Sequence, residues 1–136
     1  MREILFRGRR IDNGEWVEGM PWLFKDHACI CPWREGMCKY DTGYYPVHVI
    51  PETVGQYTGL TNKNGKRIFE GDIVKAMSVP MLVIFDKESA HFFVCYYMDG
   101  HKDCFENTLY GHDRLTVIGN IHDNPDLIDW SIDYDM

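Results

Sequence analysis

The stretch Val54–Lys75, VGQYTGLTNKNGKRIFEGDIVK, alternates short apolar runs with glycine-bearing turns. Thr61-Asn62-Lys63-Asn64-Gly65 is a polar turn of the kind that closes a hairpin, because Asn and Gly tolerate positive φ. Downstream, Phe69 and Ile73 flank Glu70-Gly71-Asp72, room only for a tight turn between two extended runs. Working outward, Ile73–Ala76, Met81–Phe85, His91–Tyr97 and Leu115–Ile121 read as strands, with Pro80 confined to a connection. Toward the N-terminus, Ile4-Leu5-Phe6 opens a strand, Asp12-Asn13-Gly14 turns it, and Glu15-Trp16-Val17-Glu18 alternates as a second hairpin arm.

Lys25–Tyr45 is short-patterned and broken by Pro32, Gly36 and Gly43, which predicts a less regular subregion over 20–50. Val47–Ile50 is extended until Pro51 stops it, and Asn124-Pro125-Asp126 reads as an N-cap followed by Pro at the first helical position. No segment carries a ten-residue amphipathic helix, and there are no internal repeats. The expected fold is mainly β: a small barrel or curled antiparallel sheet, with irregular extra strands and a short C-terminal helical turn.

A chain of 136 residues is expected to form a single domain over 1–136 and can bury roughly two-thirds of its unfolded surface without disulfide or metal. The opening Met1–Arg7 has too short an apolar core for a signal peptide, and no run approaches a membrane span. Five cysteines, an odd number, suit reduced thiols, so the expected setting is the cytoplasm. Net charge −7 repels a phosphate backbone. The basic residues concentrate in Arg7/Arg9/Arg10 (residues 7–10) and Lys63/Lys66/Arg67 (residues 63–67), whereas five Asp and no Lys or Arg follow from Asp123 to the end.

The candidate chemistry is sparse. Asp72, fixed beside Gly71 at a strand entrance, could bind a metal or act as a base, but such a carboxylate also accepts backbone N–H groups within its own turn. His27, Cys29, Cys31 and Cys38 suggest zinc, yet one residue between Cys29 and Cys31 is too few for a tetrahedral knuckle. If the run is a strand, residues 27, 29 and 31 share one face. His101, Asp103, His112, Asp113, His122 and Asp123 are a loose set without the long helices that His-Asp metal phosphohydrolases use. Cys95 lies in an apolar run, and nothing marks Cys104 as a nucleophile. There is no serine elbow, phosphate loop or His-Glu-x-x-His. No catalytic, cofactor-binding or metal residue is assigned. Trp16, Trp22, Trp33, Tyr44, Tyr45, Tyr57, Tyr96 and Tyr97 exceed what a small barrel hides, which suits stacking on bases or burial in a protein interface.

Several segments in order resemble the YopX family of bacteriophage and prophage proteins. They are Met1-Arg2-Glu3-Ile4 with Phe6-Arg7-Gly8, Gly14-Glu15-Trp16-Val17, and Gln56-Tyr57-Thr58-Gly59-Leu60 with Lys63-Asn64-Gly65-Lys66. Ile68-Phe69-Glu70-Gly71-Asp72-Ile73-Val74 and Val117-Ile118-Gly119-Asn120-Ile121, followed by Asn124-Pro125-Asp126-Leu127, complete the likeness. The resemblance implies a mostly β fold with an SH3-like barrel around Glu70–Val74, and it implies no reaction. The expected role is therefore a non-enzymatic, phage- or prophage-encoded adaptor in the host bacterial cytoplasm. It would work without a cofactor, through an unidentified phage or host protein or a second copy of itself. The alternative is a nucleic-acid-associated accessory protein using the two basic clusters. A small metal-dependent hydrolase is the third reading.

Overall fold

The computed structural model describes residues 3–32, 46–75, 80–98, 101–105 and 114–128. The chain divides into two compact units, Met1–Tyr57 and Thr58–Met136. Eleven strands make two sheets among these residues: a six-stranded one in the order β4-β3-β2-β1-β5-β6 and a five-stranded one in the order β10-β9-β8-β7-β11. The pairings β1–β2, β2–β3, β3–β4 and β1–β5 in the first, and all four in the second, are antiparallel. A mainly β architecture is what the turn-punctuated sequence predicts.

In the first unit, β1 (Phe6–Arg9), β2 (Trp16–Leu23), β3 (Ala28–Pro32) and β4 (Val47–Val49) form a meander. The sheet curls so far that the chain after β1 returns to β4. Ile50 N donates to Arg9 O at 2.9 Å, Ile11 N donates to His48 O at 3.1 Å, and Arg10 bridges Val49. That curl presses β1 onto β4, so a Cβ at Gly8 would sit 2.8 Å from a Val49 methyl, closer than carbon atoms approach. Ala28, Ile30 and Val49 form the core beneath, with Phe6, Val17 and Val54 packed on it. Where the sequence predicts irregularity after Lys25, β3 is a regular strand whose residues 28–31 are all buried. Its alternation is hidden because both faces are covered. Residues 33–45 lie outside the described part.

Strand β5 (Gly55–Thr61) runs from the first unit into the second and is followed by β6 (Arg67–Phe69). The predicted polar turn lies between them. Asn62 N donates to Lys66 O, while Asn62 Oδ1 accepts from Asn64 N at 2.9 Å and Lys66 N at 3.0 Å. The second unit continues with β7 (Asp72–Lys75), β8 (Pro80–Asp86), β9 (His91–Met98) and β10 (His101–Phe105) as a meander, and β11 (Thr116–Asn120) closes against β7. Pro80 opens β8 opposite Lys75 instead of lying in the connection, a first-strand position where its missing N–H is tolerated. Both faces of this sheet are packed. Val74, Met81, Val83 and Val94 lie with Ile68 and Leu115 on one side, and Ile73 and Leu82 pack with Ile128 on the other. That is why Met81-Leu82-Val83 reads as a continuous apolar run.

The C-terminal helical turn is a single 3-10 turn, Pro125–Leu127. Asn124 does not cap it through its side chain. Its Oδ1 instead accepts from Asn120 N at 3.2 Å, drawing the turn back onto the end of β11.

Candidate functional site

The β2–β3 hairpin carries the densest exposed chemistry. Strand periodicity puts Met20 and Trp22 on one face of β2, and Cys29 and Cys31 on the same face of β3. The register sets Met20 opposite Cys31 and Trp22 opposite Cys29, and Cys29 in turn lies opposite His48 of β4. At the hairpin tip, Phe24 N donates to His27 O at 2.9 Å, and the two rings stack with centroids 4.3 Å apart. Three cross-strand rows result: Phe24 with His27, Trp22 with Cys29 and His48, and Met20 with Cys31.

The outer members of these rows face solvent. Met20 is 43% exposed, Trp22 50% and Phe24 52%, and Leu23, pointing the other way at the same tip, is 62% exposed. Three consecutive large apolar side chains at a hairpin tip are a concentration that single exposed hydrophobics do not explain. A cleft of about 330 Å³ beside Met20 is lined by Glu3, Ile4 and Leu5, and Ile4 is itself half exposed.

The inner members are the thiols. Cys29 and Cys31 are buried, as is Cys95 of β9. Cys29 Sγ lies 3.4 Å from His48 Nδ1. His27 Nδ1 donates to Asp26 Oδ1 at 2.8 Å, and that hydrogen bond holds the Asp26 carboxyl below the usual carboxylate range. The His27 and His48 rings are 6.2 Å apart between centroids. Among the described residues, no group of three or more His, Cys, Asp or Glu side chains is placed to hold a metal ion. Cys38, the fourth member of the sequence set, lies outside them. Sequence spacing does not show the contact of His48 with Cys29, because only the β3–β4 register makes it.

The other candidates resolve into structural roles. Asp72 is buried and its Oδ2 accepts from Phe69 N at 2.7 Å across the turn. Gly71 takes φ +91°, with its N–H on Val83 O and its C=O on Ile121 N, both at 2.9 Å. Of the His and Asp set, Asp123 Oδ2 accepts from Asn120 Nδ2 at 3.0 Å, and His122 N and Asp123 N both donate to Asn120 Oδ1. The side chains of His101, Asp103 and Cys104, and the whole of His112 and Asp113, lie outside the described residues.

The basic cluster at the N-terminus is largely engaged. Arg10 forms a two-pronged ion pair with Asp12, at 2.9 and 2.7 Å, which lowers the Asp12 pKa. The Arg7 guanidinium lies 4.8 Å from the Trp16 ring centre, and Arg9 Nε donates to Gly14 O. Lys63 and Lys66 sit exposed on the β5–β6 turn, and Arg67 is exposed at the start of β6. Tyr57 is buried and Trp16 half-buried. Trp33, Tyr44 and Tyr45, and the side chains of Tyr96 and Tyr97, fall outside the described part.

Two antiparallel sheets carrying an exposed aromatic hairpin define a β-sheet protein. The family model described as YopX protein matches residues 5–129, and the chain belongs to that family. No curated protein matches it. Among solved structures it is similar to the crystal structure of protein EF1440 from Enterococcus faecalis. That likeness has 25% identity and a TM-score of 0.44, over 95% of this chain and 100% of that one. No helix among the described residues is long and apolar enough to cross a membrane.

Proposed function

We propose that this protein is a non-enzymatic, phage- or prophage-encoded adaptor that acts in the bacterial cytoplasm by binding another protein. The observation that carries the reading is the exposed apolar tip Trp22-Leu23-Phe24, continued on one face by Met20. Aromatic anchors of this kind supply most of the energy of protein interfaces, and a hairpin holds them with little ordering cost. The strand order β11-β7-β8-β9-β10, a meander with its last strand folded back beside its first, supports an SH3-like reading of the second sheet.

Net charge −7 and the engagement of Arg7, Arg9 and Arg10 with their own neighbours leave nucleic acid as the weaker reading. The test is affinity purification from prophage-carrying cells, with and without nuclease, using the parent and a Trp22→Glu/Phe24→Ser variant. The adaptor reading expects a protein that co-purifies despite nuclease and is lost with the variant, while the variant keeps the parent's melting temperature. Recovery that depends on intact nucleic acid, or that the variant leaves unchanged, would overturn it.

A further inference from the structure

We propose that Asn64-Gly65, at the tip of the β5–β6 hairpin, is a site of spontaneous covalent modification, where water converts Asn64 to aspartate or isoaspartate through a cyclic imide. The chemistry needs an asparagine carboxamide next to a backbone nitrogen that no side chain shields, and glycine leaves that nitrogen bare. Two Asn-Gly pairs on this chain meet the condition, Asn13-Gly14 and Asn64-Gly65, and all four residues are exposed.

The tertiary structure separates the two pairs. The attacking nitrogen is held alike in both turns: Gly14 N donates to Arg10 O and Gly65 N to Asn62 O, each at 3.0 Å. The carboxamides differ. Asn13 Oδ1 accepts from Glu15 N at 2.9 Å, and Arg9 Nε donates to Gly14 O at 3.3 Å, so side chain and peptide are both tied down. In the second turn Asn62 makes the tie instead, its Oδ1 accepting from Asn64 N and Lys66 N. The Asn64 carboxamide is left out of the turn's bonding and can swing onto Gly65 N, beside which a Cβ would meet nothing within 4 Å.

In the first step Gly65 N gives its proton to solvent base and bonds to Asn64 Cγ, and the side-chain nitrogen leaves as ammonia. Water then opens the imide. Cleavage of the new Cγ–N bond restores the ordinary backbone with a side-chain carboxylate. Cleavage of the original C–N bond instead routes the backbone through Cγ, which is isoaspartate. Both products place a negative charge among the exposed Lys63, Lys66 and Arg67. Isoaspartate also lengthens the backbone by one carbon inside the span that Asn62 N to Lys66 O, at 2.8 Å, and Lys66 N to Asn62 Oδ1, at 3.0 Å, hold closed. Asn62 is buried, so groups pulled apart there lose partners without gaining water, and the hairpin loosens as the chain ages.

The test incubates the full chain at mildly alkaline pH, native and in guanidinium, and cuts it with a glutamyl endopeptidase so that Asn13 and Asn64 fall in separate peptides. Mass spectrometry reads the gain of one mass unit in each peptide, and isoaspartyl methyltransferase labels the isoaspartate. Asn13 must first give up a hydrogen bond that Asn64 does not make. Native Asn64 should therefore convert about 2–12-fold faster than Asn13, once corrected by their ratio in guanidinium. The label on the peptide carrying residue 64 should vanish in Asn64→Ser, and ageing should lower the melting temperature of the parent more than that of this variant. A corrected ratio at or below one, a label that persists in Asn64→Ser, or equal melting losses in the two aged chains would overturn the proposal.

Discussion

Replacing Gly71 by Val should destabilise the second unit far more than its surface neighbours would suggest. Gly71 holds φ +91° between β6 and β7, a conformation from which a β-branched side chain is excluded. Relaxing φ would tear at two bonds at once, because its N–H is held by Val83 O of β8 and its C=O by Ile121 N just beyond β11. Backbone strain of about 1–3 kcal/mol, with about 0.5–1.5 kcal/mol for a weakened hydrogen bond, sums to about 1.5–4.5 kcal/mol. For a chain of this length each kcal/mol lowers the melting temperature by about 3–5 °C, so the expected drop is about 5–22 °C. Gly65→Val is the internal control. Gly65 also has positive φ, at +79°, but a Cβ there meets nothing within 4 Å, and it has one anchored backbone bond, its N–H on Asn62 O at 3.0 Å, against two at Gly71. Gly71→Asn should recover part of the loss, since Asn visits the left-handed region. Calorimetry and urea unfolding of the three variants measure this directly. A Gly71→Val melting temperature equal to the parent's, or a larger drop for Gly65→Val, would refute the argument that two anchored bonds fix this turn.

Asn120→Ala should cost about 1–3 kcal/mol, because it removes the acceptor for His122 N and Asp123 N and the donor to Asp123; urea denaturation reads it, and a neutral result would remove that network from the account of the C-terminal turn. Asp86 should titrate below the ordinary carboxylate range, since Ser89 Oγ donates to its Oδ2, and Ser89→Ala should move it back up. The sign follows from a depressed folded-state pKa: this contribution to stability is present above the unfolded-state value and is lost as pH falls through the folded-state one; NMR titration of the carboxyl carbon checks it. Mixed-sequence duplex and single-stranded DNA should bind more weakly than the roughly 10⁻⁴–10⁻⁶ M of an ordinary non-specific binder at physiological salt; anisotropy showing micromolar binding that steepens at low salt and vanishes in Arg9→Glu/Lys66→Glu would restore the nucleic-acid reading.

Local chemistry was sufficient to read the turns and most strands from the chain alone. Asn62 and Gly65 in one turn and Gly71 with Asp72 in the next play the parts their side chains dictate, because those contacts span only a few residues. The continuous apolar run Met81-Leu82-Val83 marks a strand packed on both faces for the same reason. Family membership was also written in the order of short motifs. What the chain could not disclose were pairings made across long separations. Strand β3 looked irregular because both its faces are buried, and β10 has no periodic signal of its own. The partnership of Cys29 with His48 crosses nineteen residues and exists only because β3 and β4 pair in one register. Likewise, eight large aromatics in a sequence do not say which of them stay wet. Tyr57 is buried, whereas Trp22 and Phe24 stay exposed at a hairpin tip, where β2 runs past the Phe6–Gly19 pair that ends its ladder with β1.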